Sequence, residues 1–245
     1  PARRGAPPGP PTTVGPRSKH SRTSVQLRLH VEISINSSVF IRNKHKMNLA
    51  HPFTMIIAGP SGSGKTVFTR KLIEYSQKLI DPPPEKIVWC YGVYQKFFNE
   101  LKNIEFHDGL PDLSMFDGSQ RTLLIIDDLM HETDDRVSQI FTRESHHKSI
   151  SVAYLTQNFF HKSKQSRTMS LNAHYLVLFK NVRDATQISH LATQMYPGKS
   201  KFLIDAYRDS TSTPYSYLFV DLKSNTDEKI RVRSNIFPDE TTYVY

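Results

Sequence analysis

The 245-residue sequence has one cysteine and one tryptophan, and no apolar stretch approaches the roughly 18 residues that a membrane-spanning helix needs. A lone thiol excludes both an internal disulfide framework and a multi-cysteine metal site. That thiol, Cys90, follows Ile87-Val88-Trp89 in an apolar run and reads as a small buried hydrophobe. No secretory signal is evident, and the expectation is a soluble protein of an intracellular, reducing compartment. The chain begins at Pro1 without a methionine, which leaves room for a longer protein upstream.

Acidic residues are scarce at one end. Residues 1–52 carry nine Lys or Arg against the single acid Glu32, a local net of +8, so nearly all of the formal charge of +9 sits there. Six of the fifteen prolines fall in the first sixteen residues, which opposes both helix and packed core. The expectation is a disordered basic arm over residues 1–24, suited to a polyphosphate such as nucleic acid or serving only as a solvated tail. With 38% hydrophobic residues, the remainder is long enough to bury the core of one main domain.

Alternating apolar positions from Val25 to Ile35 predict a half-buried strand within a flanking segment, 25–52. The main domain, 53–245, opens on the buried-type strand Phe53–Ala58, a glycine-rich turn, and a helix with Phe68, Leu72, Tyr75 and Leu79 on one face. Pro82-Pro83-Pro84 stops that helix. Strands are predicted at Ile87–Tyr91, Leu123–Ile126, Ser151–Thr156 and Tyr175–Phe179, with later strands near Tyr215–Leu222 and Ile230–Val232. A helix is predicted from about Thr133, another carrying Ala185, Ile188, Leu191 and Met195, and a third near Phe202–Tyr207. Strands that alternate with helices imply an α/β fold with a mainly parallel sheet.

The turn is the most specific feature. Gly59-Pro60-Ser61-Gly62-Ser63-Gly64-Lys65-Thr66 matches G-x-x-x-x-G-K-[ST] between a strand and a helix. In this pattern glycines let successive backbone N–H groups turn inward onto β and γ phosphates, the lysine neutralises their oxygens, and the Thr66 hydroxyl ligates the accompanying Mg²⁺. Leu123–Ile126 then delivers Asp127 and Asp128 to a strand end. Asp127 is expected to hold Mg²⁺ through a water, and Asp128 to take a proton from an attacking water. Gln157, after the strand ending in Thr156, is placed to hydrogen-bond the γ-phosphate or that water, provided its strand lies between the first and third. His146-His147-Lys148 reads as a solvated helix end in preference to a metal site, and the aromatics of Tyr91–Tyr94 and Phe97-Phe98 as core packing in preference to faces for stacking bases.

Taken together, PFTMIIAGPSGSGKT, LLIIDD, FTRESHHKSISVAYLTQN and LNAHYLVLFKNVRD resemble the packaging ATPases of the FtsK/HerA superfamily, most closely those of polinton (maverick) and adintovirus-like elements, with poxvirus-type relatives. The resemblance spans about residues 52–207. It implies an additional-strand, RecA-like P-loop NTPase with helices on both faces of the sheet, using ATP and Mg²⁺. It further implies a homo-oligomeric ring that pumps double-stranded DNA into a capsid, with a capsid or portal partner, in the host nucleus or at a virus assembly site. Related motors carry a trans-acting arginine near the position of Arg143. At 100° per residue Arg143 also lies about 110° from the stripe of Val137, Ile140 and Phe141, and so faces outward. Arg167 and Arg183 are rivals for that role. Two other classes share the loop: a phosphotransferase of the nucleoside-kinase kind, and a nucleotide-gated DNA-binding or assembly module with little turnover.

Overall fold

The computed structural model describes residues 5, 41–42, 47–127, 129, 134–158, 164–183 and 185–245. The chain divides into two units, Pro1–His30 and Val31–Tyr245. Gly5 is the described residue of the first, and all the described strands and helices belong to the second. Apart from Gly5, the basic arm lies outside the described residues, as does the strand expected at Val25–Ile35.

Strands β1 (Ile41–Arg42), β2 (Leu49–Ala50) and β3 (Thr54–Ala58) come first, followed by helix α1 (Lys65–Glu74) and the single turn α2 (Ser76–Leu79). Then come β4 (Ile80–Asp81), β5 (Lys86–Tyr91), β6 (Glu105–Asp108) and β7 (Thr122–Asp127). Helix α3 (Asp134–Gln139) runs through a π-type turn, Ile140–Glu144, into α4 (Ser145–His147). Next in the chain are β8 (Ile150–Thr156), α5 (Lys164–Asn172), β9 (Tyr175–Phe179), α6 (Thr186–Met195) and α7 (Ser200–Ser210). Strands β10 (Tyr217–Asp221), β11 (Val232–Ser234) and β12 (Tyr243–Val244) close the chain.

One large sheet has the order β1-β12-β11-β10-β9-β3-β8-β7-β5-β6. From β9 to β6 every pairing is parallel, and from β9 outward through β10, β11, β12 and β1 every pairing is antiparallel. Strands β3, β7, β8 and β9 are buried along their whole length, which is why their sequences read as continuous apolar runs and not as alternations. Successive side chains nevertheless sort to opposite faces. Met55, Ile57, Ile125 and Leu155 pack with Phe68 and Leu72 of α1. Ile56, Leu124, Ile126 and Tyr154 pack with Ile140, Met169, Leu191 and Leu203 from the helices between β7 and β10. Helices therefore cover both faces of the parallel part.

Helix α1 is held down by an aromatic seat. Phe68 meets Tyr217 at 4.9 Å and Phe179 at 6.3 Å, both edge-on, and Phe237 at 5.0 Å. On the same helix, Lys71 Nζ donates to Glu240 at 2.7 Å and Asp239 at 3.1 Å, tying it to the C-terminal segment.

Several elements differ from the sequence expectation. Helix α5 was not anticipated, because Met169 is its one buried residue and a single apolar position has no period. The helix expected from about Thr133 is described from Asp134 onward and contains a π-type turn, invisible to a 3.6-residue count. The late strands start at Tyr217 and Val232, two residues beyond the expected positions, because Tyr215 has a left-handed φ of 65° and Glu228–Ile230 forms a 3₁₀ turn. Cys90 is buried in β5, and burial, with Glu105 adding, pushes its thiol up to about 12.

Candidate functional site

Strand β3 ends at Ala58, α1 begins at Lys65, and the six residues between them form a close curl. Its first residue is tied sideways: Gly59 N donates to Thr156 O at 3.1 Å, joining the loop to the end of β8. Ser63 N then donates back to Pro60 O at 3.2 Å. Gly62 and Gly64 take φ of +75° and +114°, a region that residues with a β-carbon rarely enter. The Lys65 ammonium lies over the curl, donating to Gly59 O at 2.6 Å and Pro60 O at 3.1 Å. Ser63 Oγ is buried with no hydrogen-bond partner among the described residues.

Intrahelical bonding in α1 starts with Phe68 N to Gly64 O at 2.9 Å, so the amides of Lys65, Thr66 and Val67 precede the helical ladder. The first turn carries no acidic side chain to answer the positive end of the helix dipole. A glycine-rich curl, an ammonium and an uncompensated helix start together fit an oligophosphate. The half-buried Thr66 and the buried Asp127 supply hard oxygen donors of the kind Mg²⁺ takes.

Three adjacent strands bring the remaining residues to this edge. Ala58 of β3 pairs in register with Thr156 of β8, and Leu155 pairs with Asp127, the last residue of β7. The loop, Gln157 and Asp127 thus leave the same C-terminal edge on neighbouring strands, where ligands of open α/β sheets gather. Asp127 is 8% exposed and Gln157 is half-buried. Asp128 lies outside the described residues. Arg143 is exposed on the π-type turn, and Arg167 and Arg183 are exposed as well. No group of three His, Cys, Asp or Glu able to hold a metal occurs among the described residues. Of the aromatics near β5, Phe98 is buried and stacks on Phe106 at 4.7 Å, while Tyr94 is exposed.

Two positioning residues escaped the sequence reading. Phe179, the last residue of β9, lies directly behind Gly59. Tyr207 Oη donates to Phe179 O and accepts from Asn181 N, both at 2.9 Å, fixing the chain where it leaves β9; burial raises this phenol's pKa. Gln157, Gly59, Asn181 and Tyr207 line a crevice of about 20 Å³, room for one water. Phe179 closes an apolar run and Tyr207 lies between Ala206 and Arg208 in a helix, where nothing in the sequence separates either from an ordinary aromatic.

With β8 inserted between the loop-bearing β3 and β7, the architecture is the additional-strand form of the P-loop NTPase fold, a mixed α/β sheet with helices on both faces. No protein-family model matches the chain, and no curated protein matches it. Solved structures similar to it include the genome packaging NTPase B204 from Sulfolobus turreted icosahedral virus 2, in complex with ATP-gammaS and with AMPPCP. Both are 13% identical and cover 75% of this chain and 96% of their own, with TM-scores of 0.46 and 0.47.

Proposed function

We propose that this protein is an ATP-driven motor that moves double-stranded DNA, as a subunit of a genome-packaging ring. The observation that carries the reading is the convergence of the Gly59–Thr66 curl, Asp127 and Gln157 on one edge of three neighbouring strands. Lys65 and the loop amides bind and neutralise the β and γ phosphates. Thr66 and Asp127 would hold Mg²⁺, whose charge offsets that developing on the phosphates during transfer. Gln157 holds the attacking water or the γ-phosphate in line. Asp128 accepts the proton as the water oxygen bonds to γ-phosphorus and the bond to the β-bridging oxygen breaks, releasing ADP and phosphate. Arg143 from the neighbouring subunit stabilises the transferring group. The charge of residues 1–52 supplies phosphate contacts along DNA.

The test is phosphate release measured with Mg²⁺–ATP alone, with double-stranded DNA, and with nucleosides as acceptors. Stimulation by DNA supports the motor. Transfer of the γ-phosphoryl to a nucleoside would make the protein a phosphotransferase, and binding without turnover under any condition would make it a nucleotide-gated assembly module.

A further inference from the structure

The chain beyond α7 turns tightly against the phosphate loop. Thr211 Oγ1 donates to Tyr207 O at 2.6 Å and Ser212 N to Asp209 O at 3.0 Å, which ends the helix. Ser216 Oγ donates to Thr213 O at 2.6 Å and closes the next turn around Pro214 and Tyr215. At its left-handed φ of 65°, Tyr215 occupies a conformation that bulky side chains rarely adopt. Its backbone reaches the loop: a β-carbon on Gly64 would lie 3.3 Å from Tyr215 Cβ and 3.4 Å from Tyr215 Cα. Tyr215 is nevertheless 68% exposed. Core packing does not account for a strained aromatic held outward at the last glycine of a phosphate loop, and strain of this kind gathers at ligand sites.

Between this turn and the loop lies a cleft of about 370 Å³, within the range of small-molecule sites. Gly62 and Ser63 line it on the loop side, Lys180 at the exit of β9, and Thr213, Pro214 and Tyr215 on the turn side. Lys180 is its one charged lining residue, so no carboxylate of the cleft repels the phosphates of a nucleotide held beside it. Because Gly62 and Ser63 belong both to the cleft and to the phosphate curl, a nucleotide with its phosphates on the curl has this cleft beside it for the rest of the molecule.

We propose that the cleft receives the ribose and base of the bound nucleotide, with the Tyr215 ring as the stacking face for the base. The proposal rests on the reading of the curl as a nucleotide's phosphate site, and adds where the nucleoside goes and what recognises it. Every base has a π face, so the Tyr215 platform accepts purines with little discrimination between ATP and GTP.

Equilibrium titrations of the wild-type protein, Tyr215→Ala and Tyr215→Phe with Mg²⁺ and ATP, GTP or inorganic tripolyphosphate test it. Tyr215→Ala weakens ATP and GTP about tenfold, Tyr215→Phe keeps wild-type affinity, and tripolyphosphate binds all three proteins equally. The tripolyphosphate titration also shows that the loop of each variant is folded. ATP binding unchanged in Tyr215→Ala overturns the stacking role while leaving the phosphate site intact. Parallel loss of ATP and tripolyphosphate overturns it too, because Tyr215 then acts by supporting Gly64. Failure of the wild-type protein to bind either ligand removes the phosphate site itself, and this proposal with it.

Discussion

Phe179 stands where a side chain on Gly59 would have to begin: a β-carbon built on Gly59 falls 2.6 Å from Phe179 Cβ and 2.7 Å from Ser63 Oγ. The close partner on the strand side is a Cβ, which cannot swing away as a flexible side-chain end can. Gly59→Ala should therefore displace the start of the loop or the end of β9, costing about 1–3 kcal/mol and weakening ATP binding. Gly62 is the control. A β-carbon there has open space, and only its φ of +75° opposes substitution, at about 1–2 kcal/mol. Denaturant melts together with ATP titrations should rank Gly59→Ala as the more damaging for binding, and the reverse order would refute the steric argument.

Arg143 is expected to act in a neighbouring subunit, which has a signature that a residue acting within its own subunit lacks. Arg143→Ala should bind ATP normally and hydrolyse it slowly. Mixed with Lys65→Ala, it should regain activity, because an intact loop on one subunit then meets an intact arginine from the next. Arg143→Ala that turns over ATP like wild type, or mixed assemblies that co-assemble and recover nothing, would pass the question to Arg167 and Arg183.

Removal of residues 1–24 deletes five of the nine basic residues of the N-terminal 52, namely Arg3, Arg4, Arg17, Lys19 and Arg22. DNA affinity should fall, and the slope of log affinity against log salt should flatten by about 0.9 for each phosphate that the arm no longer neutralises. An unchanged slope would make the arm a solvated tail.

Cys90 reports on the opening of the sheet. With its thiol pushed up to about 12, about one molecule in 10⁴ carries the thiolate at pH 8, and the side chain is buried between the strands and their helices. Iodoacetamide at pH 8 should leave folded protein unmodified and label it at the rate of global unfolding, as read by mass spectrometry. Rapid labelling of folded protein would mean that β5 is far more exposed than its burial indicates.

Much of the fold was legible because parallel core strands are long apolar runs, and the strand Tyr175–Phe179 matches its sequence expectation to the residue. The loop was legible because its glycines answer a backbone demand that few other sequences meet. The insertion of β8 between β3 and β7 could be framed only as a condition, since strand order depends on crossovers that no local pattern records. The antiparallel extension from β10 to β1 was not anticipated for the same reason: its direction is set by the two helices between β9 and β10 and by hairpin-like returns. The roles of Phe179, Tyr207 and Tyr215 arise from contacts between residues far apart in sequence, and each looks like an ordinary aromatic in its own neighbourhood.

Phosphate release by Lys65→Ala, set beside wild type and Asp128→Asn under the same Mg²⁺–ATP and DNA, tests the central claim most directly. Lys65 Nζ, half-buried, donates to the loop carbonyls of Gly59 and Pro60 and packs into no core; its loss should leave the melting temperature within a few degrees of wild type while abolishing turnover. Asp128→Asn should still bind ATP with Mg²⁺ and stall before hydrolysis. A folded Lys65→Ala protein that releases phosphate at near wild-type rate would contradict the account.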